Sequence, residues 1–127
     1  MPPLSKGELR DDLETGTFIG AVAGKKAVCR IAGGWRQCNA QGERVDGIAV
    51  HDGIDGQTDV SIYSEGCICP ALSGAALTDS QPVMTDAAGA FIPYVAGAGV
   101  SKAGLCELAV SGTGMSTLIR FWPGGIA

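Results

Sequence analysis

From Thr17 onward, short apolar runs are broken at intervals of about ten residues by glycine, proline, asparagine or aspartate, and that rhythm excludes most folds. The interruptions leave no room for a long amphipathic helix after residue 15. The clearest run, residues 58–64, alternates strictly. Thr58, Val60 and Ile62 fall on one face and Asp59, Ser61 and Tyr63 on the other, the period of a β-strand. Residues 26–32 behave alike, with Ala27, Cys29 and Ile31 on one face. Gly33-Gly34 then supplies a two-residue hairpin turn, and Trp35–Cys38 returns antiparallel. Further strands are expected over 17–22, 45–50, 67–72, 83–85, 91–95, 104–110 and 117–122. Asp86-Ala87-Ala88-Gly89 forms a hairpin loop, and Pro70, Pro82 and Pro93 belong at strand starts, edges or bulges. Glycine fills 20 of the 127 positions, as many tight turns require. The fold class is all-β: a single small β-barrel or β-sandwich of short antiparallel strands over residues 16–127.

Residues 1–15 form a separate segment. Ser5 and Glu8 have capping-box spacing, Leu4 and Leu9 have staple spacing, and Leu9 and Leu13 would share a helical face. A short helix over 5–14 and a mobile charged arm are both compatible with this pattern, and Gly16 ends it either way. A weak internal echo links Gly47-Ile-Ala, followed by Val60-x-Ile62 and Gly66, to Gly104-Leu-Cys, followed by Ile119-x-Phe121 and Gly125. It requires a two-residue insertion, and reads either as a repeated β-hairpin unit or as coincidence in a glycine-rich chain.

The formal net charge is −4 and the basic residues are scattered, with only Lys25-Lys26 adjacent, so no basic stripe for nucleic acid exists. No apolar stretch reaches the roughly 18 residues of a membrane span. The N-terminal residues lack a signal-peptide core, so synthesis in the cytoplasm is expected. The five cysteines (Cys29, Cys38, Cys67, Cys69 and Cys106) are odd in number, and are expected to be buried reduced thiols.

The sequence carries no recognisable catalytic signature. His51, the single histidine, falls in a Gly/Asp turn with no base–nucleophile pattern around it. Asp52, Asp55 and Asp59 do not follow the spacing of a calcium loop. Gly97-Ala-Gly99 and Gly24-Lys25-Lys26 do not complete nucleotide-binding motifs. The expectation is therefore no enzyme, no catalytic or metal residues and no cofactor. Trp35 with Arg36 at a hairpin tip could stack on a sugar or lie in a protein interface.

The layout is similar to that of the small capsid decoration, or cement, proteins of tailed bacteriophages. The residues that carry the resemblance are Gly47-Ile48-Ala49-Val50, the run from Asp59 to Ser64 closing on Gly66, the stretch 77–89, Gly104-Leu-Cys-Glu-Leu-Ala, and the final strand 117–122. The resemblance covers roughly residues 16–123. It implies an all-β virion protein on the capsid exterior that binds the major capsid protein and stabilises contacts between coat subunits. It also implies a homo-oligomer, a trimer being favoured and a dimer the alternative. Leu4, Leu9 and Leu13 of the arm, with Trp35 and Arg36, are the expected capsid contacts. The competing reading is a phage tail or fibre module, or a carbohydrate-binding β-module.

Overall fold

The computed structural model of the chain describes residues 14–64 and 67–126. Ten strands follow in chain order: β1 (Glu14–Gly16), β2 (Ala27–Ile31), β3 (Gly34–Gln37), β4 (Gly47–Ala49), β5 (Val60–Tyr63), β6 (Cys67–Leu72), β7 (Pro82–Thr85), β8 (Phe91–Pro93), β9 (Lys102–Cys106) and β10 (Ser116–Ile126). No helix occurs among the described residues. The strands form two five-stranded antiparallel sheets that do not close into one barrel, so the sandwich-like alternative is the one adopted. The capping-box segment and Leu4, Leu9 and Leu13 lie outside the described residues. Glu14 and Thr15, which the boundary at Gly16 left in the arm, pair with Ile62 and Ser61 and belong to the first sheet.

The two sheets have one topology. Each is made of five consecutive strands, in the orders β1-β5-β4-β2-β3 and β6-β10-β9-β7-β8. The register repeats as well, since Gly47 pairs with Val28 and Gly104 with Val83. So do the isolated bridges: Phe18 to Trp35 and Ser73 to Phe91 are parallel, while Val22 to Gly53 and Leu77 to Val110 are antiparallel. The sequence echo therefore marks a real structural repeat in its first part. Its second part was misaligned. Ala49 pairs with Ile62 and Cys106 with Ile119, so Ile119, not Phe121, is the counterpart of Ile62, and no two-residue insertion is needed.

Local chemistry explains where strands stop. The β2–β3 turn is Ala32-Gly33, one residue earlier than expected, because Ile31 pairs directly with Gly34 and Gly33 takes the positive φ of 88°. Residues 17–22 are not a strand. Trp35 N–H donates to the Thr17 carbonyl and Ile19 N–H to that of Trp35, carrying the chain from β1 across to the opposite edge strand, β3. Between β7 and β8 the Asp86 carboxylate accepts from the Ala88 and Ala90 N–H groups, at 2.8 and 2.9 Å, which shapes the expected loop. Pro70 lies on the edge strand β6, Pro82 begins β7, and Pro93 ends the edge strand β8. All three positions spare a ladder hydrogen bond. A register shift interrupts β10 between Phe121 and Ile126.

Two apolar clusters hold the structure. One face of the first sheet contributes Val28, Trp35, Ala49, Val60 and Ile62, which pack with Phe18 and Val22 from the crossing segment. Its other face contributes Ala27, Cys29, Ile48 and Tyr63. These join Cys69, Ala71, Val83, Phe91, Cys106, Ile119 and Phe121 of the second sheet in a shared core. The strand alternation thus sends side chains into two cores, and Val60, Ile62 and Tyr63 are all buried despite lying on opposite faces of β5.

Candidate functional site

Trp35 is not available to a ligand. Its side chain is 2% exposed, and the sugar-stacking and capsid-contact roles assigned to it are corrected accordingly. The indole points into the first core because β1 and β4 offer it glycines. A Cβ on Gly16 would come within 2.7 Å of Trp35 Cδ1 and Nε1, and one on Gly47 within 3.2 Å of Cζ3. Its register partner Arg30 places its guanidinium carbon 4.3 Å from the ring centroid.

Arg36 points to the other face and is engaged internally. Its NH2 donates to Glu43 Oε1 at 2.8 Å, and its NH1 donates to Glu43 Oε2 and Asn39 Oδ1, each at 3.2 Å. Glu43 Oε2 also accepts from the Asn39 and Ala40 N–H groups at 2.6 and 2.9 Å. Burial works against the charge on Glu43. The guanidinium and the two N–H groups outweigh it and hold the pKa down at about 2. This ion pair braces the turn after β3.

Next to that turn, the sulfurs of Cys29 and Cys38 stand 2.8 Å apart, and Cys29 donates to the Arg44 carbonyl at 3.2 Å. With Glu43 they place three potential metal-ligand atoms within 4.8 Å of one another, a grouping the sequence analysis did not foresee. The fit to a metal is poor. Two thiolates of a tetrahedral zinc site lie about 3.8 Å apart, as Zn–S bonds of ~2.3 Å require. Both Glu43 oxygens already accept from nitrogen donors.

A partly open apolar surface lies on the outer face of the second sheet. Ile119 and Phe121 of β10 turn into the shared core, whereas Leu118 and Arg120 turn outward. Leu118 is paired with Pro70 and Arg120 with both Ile68 and Leu105. Ile68 and Leu118 are exposed, at 38% and 36%, while Pro70, Leu72 and Leu105 are half-buried. One ion pair, Arg120 Nε to Glu107 Oε2 at 2.8 Å, lies on this face. The repeat gives the face its meaning. Leu105 opposite Arg120 is the counterpart of Ile48 opposite Tyr63, and that first-sheet pair is buried in the core between the sheets. The surface that the first sheet buries against its neighbour thus recurs on the second sheet, where Ile68 and Leu118 are exposed.

The Asp/Gly loop after β4 is used for tethering. Asp52 Oδ1 accepts from Gly24 N–H and Asp55 Oδ1 from Gly20 N–H, both at 2.7 Å. Asp59 accepts from the Gln57 amide at 3.3 Å. His51 Nδ1 lies 2.9 Å from the Asp52 carbonyl, and its ring centroid is 6.5 Å from that of Phe18. Asp52 and Asp55 thus bind the crossing segment to the loop, whereas Asp59 bonds within it.

Fold and surface together define an all-β two-sheet module built on a repeated five-strand unit, with an open apolar face on its second sheet. Among solved structures, the head fibre gp8.5 N base of bacteriophage phi29 has this fold. It matches with a TM-score of 0.70 over 91% of this chain and 97% of that chain, at 16% sequence identity. Neither protein-family models nor curated proteins give a match.

Proposed function

We propose that this chain is a non-enzymatic structural protein of a tailed-phage virion that attaches to the outer surface of the capsid and stabilises contacts between coat subunits. The observation that carries the reading is the shared fold with the N base of a phage head fibre, nearly end to end in both chains. The open face of the second sheet supports it. Half-buried and exposed leucine, isoleucine and proline side chains around one ion pair form an apolar centre with a polar element, the composition of a protein-binding patch. In this reading the face seats on the coat protein, and a trimer presents three such faces at once, so that weak individual contacts sum to firm attachment. A sugar-binding role loses its main residue with Trp35 inside the core.

Mixing the full chain with expanded phage capsids, followed by sedimentation and electron microscopy, tests the proposal. Added density on the outside of the shell at coat-subunit contacts, with greater resistance of the shell to heat, is the expected result. Failure to sediment with any capsid of the host phage would overturn it.

A further inference from the structure

Cys29 on β2 and Cys38, which directly follows β3, both face the shared core. Their 2.8 Å sulfur separation is within about 0.8 Å of the ~2.0 Å length of a disulfide bond. It is well inside the roughly 3.5–4.0 Å at which non-bonded heavy atoms pack. The hairpin holds them there: Cys29 pairs with Arg36, and Cys38 N–H donates to the Ala27 carbonyl at 2.9 Å. Two other cysteines are held apart. Cys69 and Cys106 both pair with Ile119, from opposite sides of β10, so two inter-strand spacings, about 9–10 Å, separate them.

We propose that Cys29 and Cys38 form a disulfide cross-link between β2 and the end of β3 when the chain folds in the presence of a disulfide oxidant such as glutathione disulfide. One protein thiolate attacks a glutathione sulfur and expels a glutathione thiolate. The second protein thiolate then attacks the protein sulfur of that mixed disulfide and expels the other glutathione. Two protein S–H bonds are exchanged for one S–S bond, and the oxidant leaves as two thiols. Once folded and reduced, the pair reacts slowly. The hydrogen bond to Cys29 and then burial push the Cys38 thiol above its ordinary value, and thiolate is the reactive form. The cross-link therefore belongs to the folding chain. It departs from the expectation that every thiol stays reduced, and is independent of the proposed capsid role.

The test is to refold the full chain from denaturant in glutathione buffer, alkylate the remaining thiols, and map the digested protein by mass spectrometry. The wild-type protein is expected to be two hydrogens lighter, to yield a linked Cys29–Cys38 peptide, and to be alkylated at its other cysteines. Cys38→Ser is expected to lose the link and Cys106→Ser to retain it. The wild-type map decides the question if a variant fails to fold. Native mass spectrometry with added zinc reads the competing occupant of the pair. Alkylation of both Cys29 and Cys38 at every oxidant ratio overturns the proposal. So does a link through a different cysteine, or protection of the two thiols only while zinc is bound.

Discussion

The Trp35 indole lies against the backbone of Gly47, so close that a methyl group at that position would stand 3.2 Å from the ring and 2.4 Å from Ile62 Cγ2. The largest side chain of the first core is accommodated because β1 and β4 lack side chains beneath it. Gly47→Ala is expected to destabilise the fold by about 1–3 kcal/mol through overpacking. Trp35→Ala should cost about 3–5 kcal/mol through the cavity it leaves. Urea unfolding checks both. A Gly47→Ala protein as stable as wild type would show that the indole is not confined there.

The Arg36–Glu43 pair makes stability fall in acid. In the unfolded chain Glu43 returns to about 4.5, while the folded carboxyl titrates near 2, so the unfolded state binds more protons between those values. The contribution of the pair is complete above about pH 4.5 and is lost as pH falls through about 2. Glu43→Gln should lower Tm at pH 7 by a few degrees and approach the wild-type Tm near pH 2. Parallel Tm curves for the two proteins across that range would refute the assignment.

Charge placed on the open face should abolish attachment without unfolding the domain. Leu118→Lys and Ile68→Lys alter exposed side chains, so each is expected to change stability by no more than about 0.5 kcal/mol. Capsid occupancy in the sedimentation assay should drop at least tenfold. Full occupancy by both variants would place the contact on another surface.

The carboxylates of Asp52 and Asp55 tether the segment between β1 and β2. Replacing either with alanine should cost about 0.5–1.5 kcal/mol. Amide hydrogen exchange at Gly24 should accelerate in Asp52→Ala, and at Gly20 in Asp55→Ala. Unchanged exchange at both amides would mean that the tethers contribute nothing in solution.

The strands were legible wherever alternation met a turn residue. β2 and β5 lie where period two placed them, β3 where the hairpin turn returned the chain and β6 where a short apolar run fell, and the prolines fell at edges and strand ends because a missing N–H permits little else. Residues 17–22 misled because apolar residues over six positions look alike whether they lie along a sheet or cross it. The deciding interaction, Thr17 with Trp35, joins distant residues. Trp35 was placed at a hairpin tip and therefore outside. Only the pairing of β1 and β4 with their neighbours brings Gly16 and Gly47 beneath it. The open face was concealed for a related reason: Ile68 and Leu118 sit in runs apolar on both sides of the strand, so hydrophobicity alone did not reveal which side was bare.

The repeated strand order also imposes a timetable on folding. In each half the first strand pairs with the fifth, so neither sheet can be completed until its last strand exists. During synthesis the first sheet becomes pairable once Tyr63 has left the ribosome. The face carrying Ala27, Ile48 and Tyr63 must then wait for β6–β10 to cover it. Its closing contacts are long in sequence separation and correspondingly slow to form. The interval in which this half-built face is bare is when the nascent chain is most open to aggregation or to capture by a chaperone.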